Sequence, residues 1–484
     1  MIKGYDITIG LEVHCELNTE TKVFCRCKNE FGSEPNHNTC PVCLAMPGAL
    51  PVLNEKAVEK CIMAGLATGC TISEKSVMDR KNYFYPDSPK AYQISQLYKP
   101  FCREGAVEFD YVDSQGETQH SRVRIERIHL EEDAGKSLHD AWGQSTLLDF
   151  NRCGVPLIEV VTYPDIKCAE EAGAFVETLG AIFKFAGISD VKMQEGSLRA
   201  DVNLSLKKEG TEKLGTRTET KNLNSFRAIV RAAQAEAKRQ RNVLEDGGSI
   251  VQETRRWDDA KGKSYSMRTK EESNDYRYFP DPDLIPIHVT DEWKNEIAAK
   301  LPELPQAKRA RYVEEYGLPE YDAGILTSDP AIAAFFEEAI AHTDNIKQVS
   351  NFIMVDMLRI LKEREGDFES VPFKAQYLAE LIAAVDKGEI NISTAKTDVL
   401  EAMFESGKAP AQIIEEKGLK QVSDEGAILA VIQEVIAENP GPVAQFREGK
   451  GQVAGFLMGQ IMKKTRGKAK PDSAMAMLRE ELKK

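Results

Sequence analysis

The sequence lacks the features that would place the chain in a membrane or direct it out of the cell. Its 484 residues contain no run of about 18 apolar residues that could span a bilayer. The first residues, MIKGYDITIGLEVH, have no apolar signal-peptide core and no small-residue cleavage site. With 42% hydrophobic and 29% charged residues, the composition is typical of a globular protein. We therefore expect a cytoplasmic protein without membrane contact.

Common loops that bind nucleotides or carry nucleophiles are also missing. There is no G-x-x-x-x-G-K-[ST] loop, no G-x-G-x-x-G after a strand, no kinase H-R-D loop and no G-x-S-x-G elbow. Nor is there a Gly/Ser-rich amidase-like stretch, or a cysteine with an obvious histidine partner. ATP would therefore have to be held in another way, and any ammonia would have to come from another chain.

The chain has no general excess of positive charge. Its net charge of −14 argues against a general nucleic-acid coat. The segment 447–484 differs, because ten Lys and Arg residues there stand against four Asp and Glu residues. A solvated helical face would explain this local excess. Contact with a phosphate backbone would explain it too, since neutralised phosphates release their counterions.

The composition changes along the chain and predicts three domains. Residues 1–293 are rich in Thr, Val, Ile, Asn and Gly with period-two stretches, which predicts a mainly antiparallel sheet with some helices. Residues 294–408 have helical spacing, with helices predicted over 329–342 and 374–387. Residues 409–484 are predicted to form a smaller helical unit that carries the basic segment. The predicted fold class is therefore α+β.

Polar and apolar side chains alternate in two predicted strands. In 6–17 the odd positions from Ile7 onward are apolar or Cys, whereas the even positions include Glu12 and His14. Because successive strand residues point to opposite faces, the strand would bury one set and present the other. The second strand, 195–204, would present Ser197, Arg199 and Asp201 in the same way.

A third strand, 122–133, changes the phase of its alternation. The apolar positions are odd up to Ile125 and even from Ile128 onward. This slip predicts a β-bulge, which would re-aim the acidic end that contains Glu131 and Glu132. Bulges of this kind are frequent beside active sites.

The three strands together predict a cation site. A solvated sheet face would explain one such strand, but neighbouring acidic strands repel one another unless cations lie between them. Mg²⁺ prefers carboxylate oxygens and bridges to substrate phosphates. We therefore predict a site for Mg²⁺ and nucleotide phosphates on the open face of an antiparallel sheet, formed by Glu12, His14, Glu131, Glu132 and Asp201.

Phosphate binding also requires positive charge and hydrogen-bond donors. Lys81, Tyr83 and Asp87 lie on one side of a predicted strand by parity, and this strand ends at a Pro-Asp-Ser-Pro turn. Together with Arg199, these residues are candidates for nucleotide binding.

Four cysteines form two close pairs. Cys25-x-Cys27 and Cys40-x-x-Cys43 have the spacing with which two turns supply four ligands to a tetrahedral Zn²⁺. Four free thiols are the alternative. A closed site of four thiolates leaves no open position, so this metal would be structural.

Nine blocks of sequence carry a resemblance to a known family. They are IGLEVH (9–14), PGALPVLN (47–54), KNYFYPD (81–87), HLEEDAGK (129–136), DFNR (149–152), EGSLR (195–199), KNLNS (221–225), FLMGQIMK (456–463) and GKAKP (467–471). With these blocks the chain resembles the B subunits of the aspartyl/glutamyl-tRNA(Asn/Gln) amidotransferases over nearly its whole length.

The resemblance implies a fold and a reaction. The fold would be a glutamine-synthetase-like cradle over 1–293, with a zinc-binding cysteine insertion at 25–43, a helical domain over 294–408 and a tRNA-binding tail over 409–484. ATP would phosphorylate the side-chain carboxylate of Glu-tRNA(Gln) or Asp-tRNA(Asn), and ammonia would displace the phosphate. A partner glutaminase of the amidase type would supply the ammonia, and a small third protein of the same heterotrimer would brace the pair.

The resemblance also assigns roles to individual residues. Its catalytic set is Glu12, His14, Glu131, Glu132 and Lys81, of which all but the lysine would bind Mg²⁺. Its substrate and nucleotide set is Tyr83, Asp87, Ser197, Arg199 and Asp201. The cysteine quartet belongs to only some members of the family, so zinc is an inference about this chain.

Two other functions are compatible with the same residues. One is a Mg²⁺-dependent ATP ligase that acts on a small carboxylate, which would make the basic tail incidental. The other is a zinc-stabilised tRNA-binding scaffold without chemistry of its own. The sequence does not say whether Glu-tRNA(Gln), Asp-tRNA(Asn) or both would be used.

Overall fold

The computed structural model describes residues 4–139, 145–269, 273–420, 425–447, 450–465, 469 and 471–483. It divides into two compact units, Met1–Pro305 and Gln306–Lys484. The division into three domains at 293 and 408 stays a prediction. Several residues of the predicted basic tail, among them Arg466, Lys468 and Lys470, lie outside the described residues.

The first unit contains sixteen described strands and four described α-helices. Its strands are β1 (Tyr5–Glu16), β2 (Thr71–Ile72), β3 (Lys75–Ser76), β4 (Asp79–Asn82), β5 (Tyr92–Ser95), β6 (Cys102–Val112), β7 (Thr118–Glu132), β8 (Lys136–His139), β9 (Thr146–Asp149), β10 (Pro156–Thr162), β11 (Leu198–Lys208), β12 (Thr218–Lys221), β13 (Glu253–Asp258), β14 (Lys263–Thr269), β15 (Phe279–Pro280) and β16 (Ile287–His288). Its helices are α1 (Glu55–Ala67), α2 (Ala169–Phe185), α3 (Phe226–Glu245) and α4 (Asp291–Ala298).

Nine strands form one sheet in the order β14-β13-β12-β11-β1-β10-β7-β6-β2. Neighbouring strands in this sheet run antiparallel, apart from β12 and β13, which run parallel and are connected through α3. A parallel pair needs such a crossover, because the chain has to return to the same edge of the sheet. Strand β1, the first in the chain, lies at the middle of this sheet.

The alternation predicted for β1 is confirmed. Ile9, Leu11 and Val13 are at most 1% exposed, whereas Glu12 and His14 are only partly buried. The apolar side chains join a core to which α2 and α3 contribute, with α2 against β6 and α3 against β11. Each fully buried aliphatic side chain contributes roughly 1.5–3 kcal/mol. Burial of the odd-numbered residues therefore assigns the even-numbered ones to the opposite face.

The predicted bulge in β7 is also confirmed. Against β10, Arg127 lies opposite Val161 and Ile125 lies opposite Thr162, so Glu126 is an extra residue on β7. The extra residue changes the phase of the strand. As a result, Ile128 and Leu130 reach the core, whereas His129 and Glu131 face the other way.

The second unit is helical in its described part. Its α-helices are α5 (Pro305–Tyr316), α6 (Glu320–Leu326), α7 (Pro330–Ile340), α8 (Ile346–Asn351), α9 (Leu358–Glu363), α10 (Ala375–Asp386), α11 (Ile392–Thr394), α12 (Leu400–Ser406), α13 (Pro410–Glu416), α14 (Glu425–Glu438), α15 (Pro440–Arg447), α16 (Val453–Lys464) and α17 (Pro471–Lys483). The helices predicted over 329–342 and 374–387 are confirmed as α7 and α10. Asp329 caps α7 by accepting a hydrogen bond from the Ala331 N–H at 2.8 Å.

Two hydrophobic clusters stabilise the second unit. One contains buried residues from Tyr312 to Ile414, and the other contains buried residues from Ile428 to Leu482. None of the described helices is both long and apolar enough to cross a bilayer.

We expect insertion of one alanine after Glu126 to unfold the first unit. The added residue shifts the phase of β7, which would turn His129 and Glu131 toward the core and expose Ile128 and Leu130. Burying charges without partners costs roughly 3–5 kcal/mol each. Circular dichroism during urea titration would measure the loss. Deletion of Glu126 removes the extra residue and makes the alternation regular, so it keeps these faces and serves as the control. Equal stability of the insertion and this control would contradict the expectation.

Candidate active site

Antiparallel pairing brings the predicted polar residues onto one face of the sheet. Glu12 on β1 lies opposite Asp201 on β11, and His14 lies opposite Arg199. On the other side of β1, His14 lies opposite Glu159 of β10. Residues directly opposite each other in an antiparallel pair share a face. The face that carries Glu12 and His14 therefore continues across three strands.

The first carboxylate group on this face, a cluster of three side chains, contains Glu12, Asp201 and Glu219. Their ligand atoms lie within 4.8 Å of one another. The Asn203 amide donates to Glu12 Oε1 at 3.0 Å, and Lys221 pairs with both Asp201 and Glu219. Burial lowers the pKa of Lys221, but the two carboxylates outweigh this effect and leave the pKa raised. The Lys221 ammonium thus lies among these carboxylates and balances part of their negative charge.

The second group contains His14, Glu131 and Glu159, again with ligand atoms within 4.8 Å of one another. His14 Nε2 lies 3.5 Å from Glu159 Oε2 and 3.9 Å from Glu131 Oε1. His129 Nε2 lies 3.3 Å from the same Glu159 oxygen. Burial lowers the pKa of His129, but Glu159 and Glu131 outweigh this effect and raise the pKa to about 9. Two imidazoles therefore share two carboxylates.

Lys81 lies close to this second group. Burial lowers its pKa, but Tyr278, Glu131 and Glu159 outweigh this effect and leave the pKa raised. Its Nζ lies 5.0 Å from the centre of the Tyr276 ring. The charge of Lys81 thus lies beside the carboxylates.

Glu132 points to the other side of β7. It follows Glu131 directly, and successive strand residues face opposite ways. Glu132 Oε1 accepts from the Ile94 N–H at 2.9 Å and pairs with Lys90. The four predicted Mg²⁺ ligands are therefore divided, with Glu12, His14 and Glu131 on one face and Glu132 on the other.

Glu132 lines a pocket with other predicted residues. The lining includes Tyr83 and Asp87, together with Lys90 and Cys43. Burial raises the pKa of Tyr83. The predicted nucleotide residues of the segment 81–87 therefore divide as well, with Lys81 beside Glu131 and Tyr83 at the pocket of Glu132.

Arg199 belongs to a cluster centred on Asp133. Arg199 Nη2 donates to Asp133 Oδ2 at 2.8 Å, and Arg152 Nε lies 2.9 Å from the same oxygen. Burial raises the pKa of Asp133, but the two arginines outweigh this effect and lower the pKa. Burial and the charge of Asp133 raise the pKa of neighbouring Glu16 to about 7. Two guanidinium groups and one carboxylate make this edge of the face locally positive.

Ser197 is bonded within the turn that precedes β11. Its hydroxyl accepts from the Lys192 N–H at 2.7 Å and donates to Asp190. These bonds fix the entry of β11 and so the positions of Arg199 and Asp201. Asp87 lies in a different backbone turn, where it accepts a hydrogen bond from the Ser137 hydroxyl at 3.2 Å.

The four predicted cysteines lie together as a possible metal site, with their sulfur atoms within 4.8 Å of one another. Cys40 Sγ and Cys43 Sγ are 3.8 Å apart, and the Cys40 N–H donates to Cys43 Sγ at 3.1 Å. The thiol of Cys25 is the main cause that lowers the pKa of Cys43 to about 5. A tetrahedron with ligands about 2.3 Å from its centre has edges of about 3.8 Å, which matches zinc bound by sulfur.

Several residues of this face were not predicted from the sequence. The sequence contains a usable signal for Glu159, because it is the one charged residue in strand β10. It contains no such signal for Glu219, since a four-residue strand shows too little alternation to assign a face. Asp133 and Arg152 lie within the blocks HLEEDAGK and DFNR, but no local pattern indicates that they pair across 19 positions of the chain. The remaining missed residues of the site are His129, Asn203 and Lys90.

Comparison with known proteins shows the family to which the chain belongs. The GatB/GatE catalytic domain family matches residues 7–295, and the GatB domain family matches residues 334–482. The aspartyl/glutamyl-tRNA(Asn/Gln) amidotransferase B subunit of Caldicellulosiruptor saccharolyticus is 56% identical over 483 residues, which cover 99% of each chain. The chain belongs to this family of amidotransferase B subunits.

Other members of the family match over the same length. The B subunit of Thermoanaerobacter pseudethanolicus is 54% identical over 480 residues, covering 99% of this chain and all of the relative. The B subunit of Lachnospira eligens is 52% identical over 488 residues and covers both chains completely. The first family match spans the nine-stranded sheet from residue 7 of β1 onward, so both carboxylate groups lie within the catalytic domain of the family.

We expect the metal-free protein to lose stability as the pH rises. The pKa of His129 is raised from 6.5 to about 9, so its protonation stabilises the fold fully below pH 6.5 and this contribution is lost as the pH rises through 9. Replacement by asparagine should flatten this part of the profile. Urea midpoints measured in a chelator between pH 6 and 10 would test it. His120→Asn, at an exposed imidazole paired with Asp110, is the control; equal slopes in both variants would contradict the assignment.

Proposed function

We propose that this chain activates a tRNA-bound carboxylate in ATP-dependent transamidation. A side-chain carboxylate oxygen of Glu-tRNA(Gln) or Asp-tRNA(Asn) attacks the γ-phosphorus of ATP, and ADP leaves with the electrons of the broken bond. Ammonia then attacks the acyl carbon, phosphate leaves, and a proton is lost to give the amide. Phosphorylation is needed because a carboxylate without it has no adequate leaving group.

The observation that carries this proposal is the combination of charges on one sheet face. Two carboxylate groups lie beside each other on β1 and its neighbours, and a pair of arginines lies at their edge. Carboxylates fit divalent cations, and guanidinium groups fit phosphate oxygens. A phosphoryl-transfer site needs both, because its substrates and its transition state are anionic.

The first group suits Mg²⁺ by its chemistry. Glu12, Asp201 and Glu219 offer oxygen ligands alone, which this hard cation prefers, and the Lys221 ammonium lies among them as a stand-in. The second group adds the imidazole of His14 to two carboxylates. The residues of these two groups would hold Mg²⁺, which would neutralise charge on the transferred phosphoryl group.

The chain's own cations complete the site. Asp133 holds Arg152 and Arg199 by one carboxylate, which leaves further guanidinium N–H donors for the oxygens of a phosphate. Lys81 supplies a third positive charge beside Glu131. These residues bind and orient anionic substrate groups, which is how phosphoryl transfer gains most of its rate.

The remaining parts of the assembly follow from the family. We assign the glutamine-synthetase-like cradle to 1–293, the helical domain to 294–408 and tRNA contact to 409–484, where Lys463 and Lys464 end α16. An amidase-type glutaminase would release ammonia from glutamine, and a small third protein would complete a cytoplasmic heterotrimer. The four cysteines would hold a structural Zn²⁺, since their sulfur spacing suits that ion and leaves no open ligand position.

Reconstitution tests the whole proposal. The chain is mixed with its glutaminase and small partners, misacylated tRNA, ATP, Mg²⁺ and glutamine, and the amino acid on the tRNA is identified. Glutamine or asparagine on the tRNA, together with ADP, is the expected product. Amidation of a free small carboxylate without tRNA would favour a general ligase. Absence of ADP and amide would favour a scaffold.

We expect Glu12→Ala to lower tRNA amidation by roughly 100-fold or more, because it removes a ligand that stabilises transition-state charge. Glutaminase activity of the partner should stay within about twofold of wild type, since the sheet remains folded. Asp6→Asn changes an exposed acid on the same strand and should leave both activities unchanged. Parallel loss of amidation and glutaminase activity would instead indicate misfolding.

The two adjacent glutamates should respond differently to Mg²⁺. Glu131→Gln should raise the Mg²⁺ concentration for half-maximal amidation severalfold, because it changes the cation-facing group. Glu132→Gln should lower kcat without this shift, because its partners are Lys90 and the Ile94 N–H. The measurement is amidation rate against free Mg²⁺ at constant ATP. Equal Mg²⁺ shifts in both variants would place Glu132 among the cation ligands after all.

A further inference from the structure

Lys22 places a buried ammonium group between two backbone carbonyls. Its side chain is 0% exposed, and its Nζ donates to the carbonyl oxygens of Asn38 at 2.7 Å and Phe150 at 3.3 Å. Among the residues that the structure describes, no Asp or Glu oxygen lies within ion-pair distance of this nitrogen. Buried charges in proteins are paired or bound to metals, because removing an ion from water costs several kcal/mol even after relaxation.

The four-cysteine cluster lies near Lys22 and could supply negative charge. A Cβ built on Gly154 would lie 3.8 Å from Lys22 Cδ, 3.9 Å from Cys43 Cβ and 3.9 Å from Glu132 Oε2, so the lysine stem, this cysteine and this glutamate surround the same glycine. Glu132 already pairs with Lys90. The carbonyl that accepts the shorter hydrogen bond belongs to Asn38, two residues before Cys40. The ammonium therefore lies against the loop that carries half of the quartet.

Whether this ammonium stabilises the metal centre depends on the net charge of the centre. Four thiolates around a divalent ion carry a net charge of −2, whereas four protonated thiols carry none. At low dielectric, such a charge interacts strongly with a cation a few ångströms away. The quartet thus supplies a counter-charge for the ammonium when a metal is bound, and it supplies none when the cysteines are neutral.

We propose that Lys22 is the counter-cation of the four-cysteine metal site, and that its buried charge increases the affinity of the quartet for a divalent soft metal such as Zn²⁺. This inference rests on the proposed zinc site. The two hydrogen bonds of Lys22 also connect the cysteine loop to Phe150, in the segment that leads to Cys153 and β10. Lys22 is a positioning residue in this role, since it touches no reacting atom.

The test compares metal affinity in Lys22→Met and wild-type full-length chains. Methionine has a similar length and no charge, so the change removes the counter-cation and keeps most of the packing. Groups around a metal's direct ligands typically change affinity by about 10–100-fold. We expect Lys22→Met to lower the zinc affinity by a factor of this size, as measured by competition with a chromophoric chelator. Lys28→Met is the matched control, because Lys28 is next to Cys27 but 74% exposed.

Thermal unfolding separates this role from ordinary hydrogen bonding. With zinc bound, Lys22→Met should lower the Tm, because the thiolate centre loses its counter-charge. In the metal-free protein the same change should leave the Tm unchanged or raise it, because a buried charge without a partner is removed. The zinc-induced gain in Tm should therefore shrink. An undiminished gain, with both states destabilised equally, would overturn the proposal.

The remaining outcomes also decide the question. If wild-type protein binds no zinc through the cysteines, the zinc site and this inference fail together. If wild type binds zinc and Lys22→Met binds it equally well, the inference alone fails. If Lys22→Met cannot be obtained folded, Lys22→Arg carries the test, because it keeps the charge. Zinc affinity within about threefold of wild type supports the proposal, and a 10-fold or larger loss in the arginine variant overturns it.

Discussion

The antiparallel pairing of β1 with β10 and β11 is the constraint on which this structure depends. It buries Ile9, Leu11 and Val13 and, by the same geometry, gathers acids from neighbouring strands onto one face. Hydrophobic burial therefore supplies the free energy that holds like charges close together. The fold tolerates this repulsion because Lys221 and two imidazoles lie among the carboxylates, and because cations are the natural ligands of such a face.

Much of this face could be predicted from local sequence. Alternation in β1 and β11 placed Glu12, His14, Arg199 and Asp201 correctly, and the phase slip before Ile128 located the bulge. Both signals are local, since strand parity depends on neighbouring residues alone. The same rule separates Glu131 from Glu132, because adjacent residues of one strand cannot both face one cation. The likeness to glutamine synthetase and the roles of individual residues stay predictions.

The rest of the site depends on long-range pairing that no local pattern contains. Asp133 meets Arg199 across 66 positions of the chain, and Asn203 meets Glu12 across 191. Glu219 lies on a four-residue strand, where alternation is too short to assign a face. The cysteine quartet was recognisable because both pairs are local motifs. Lys22 was not recognisable, because an isolated lysine in a sequence gives no sign that it will be buried.

The position of β1 also affects how the protein is made. Its partner β11 ends at Lys208, so the first strand leaves the ribosome long before both of its neighbours exist. At roughly 5–20 residues per second, completion of these partners takes about 10–40 s after synthesis begins. During that interval an apolar strand edge is available to other chains, and such edges aggregate. Newborn chains of this protein are therefore exposed to aggregation for longer than chains whose first strand pairs at once.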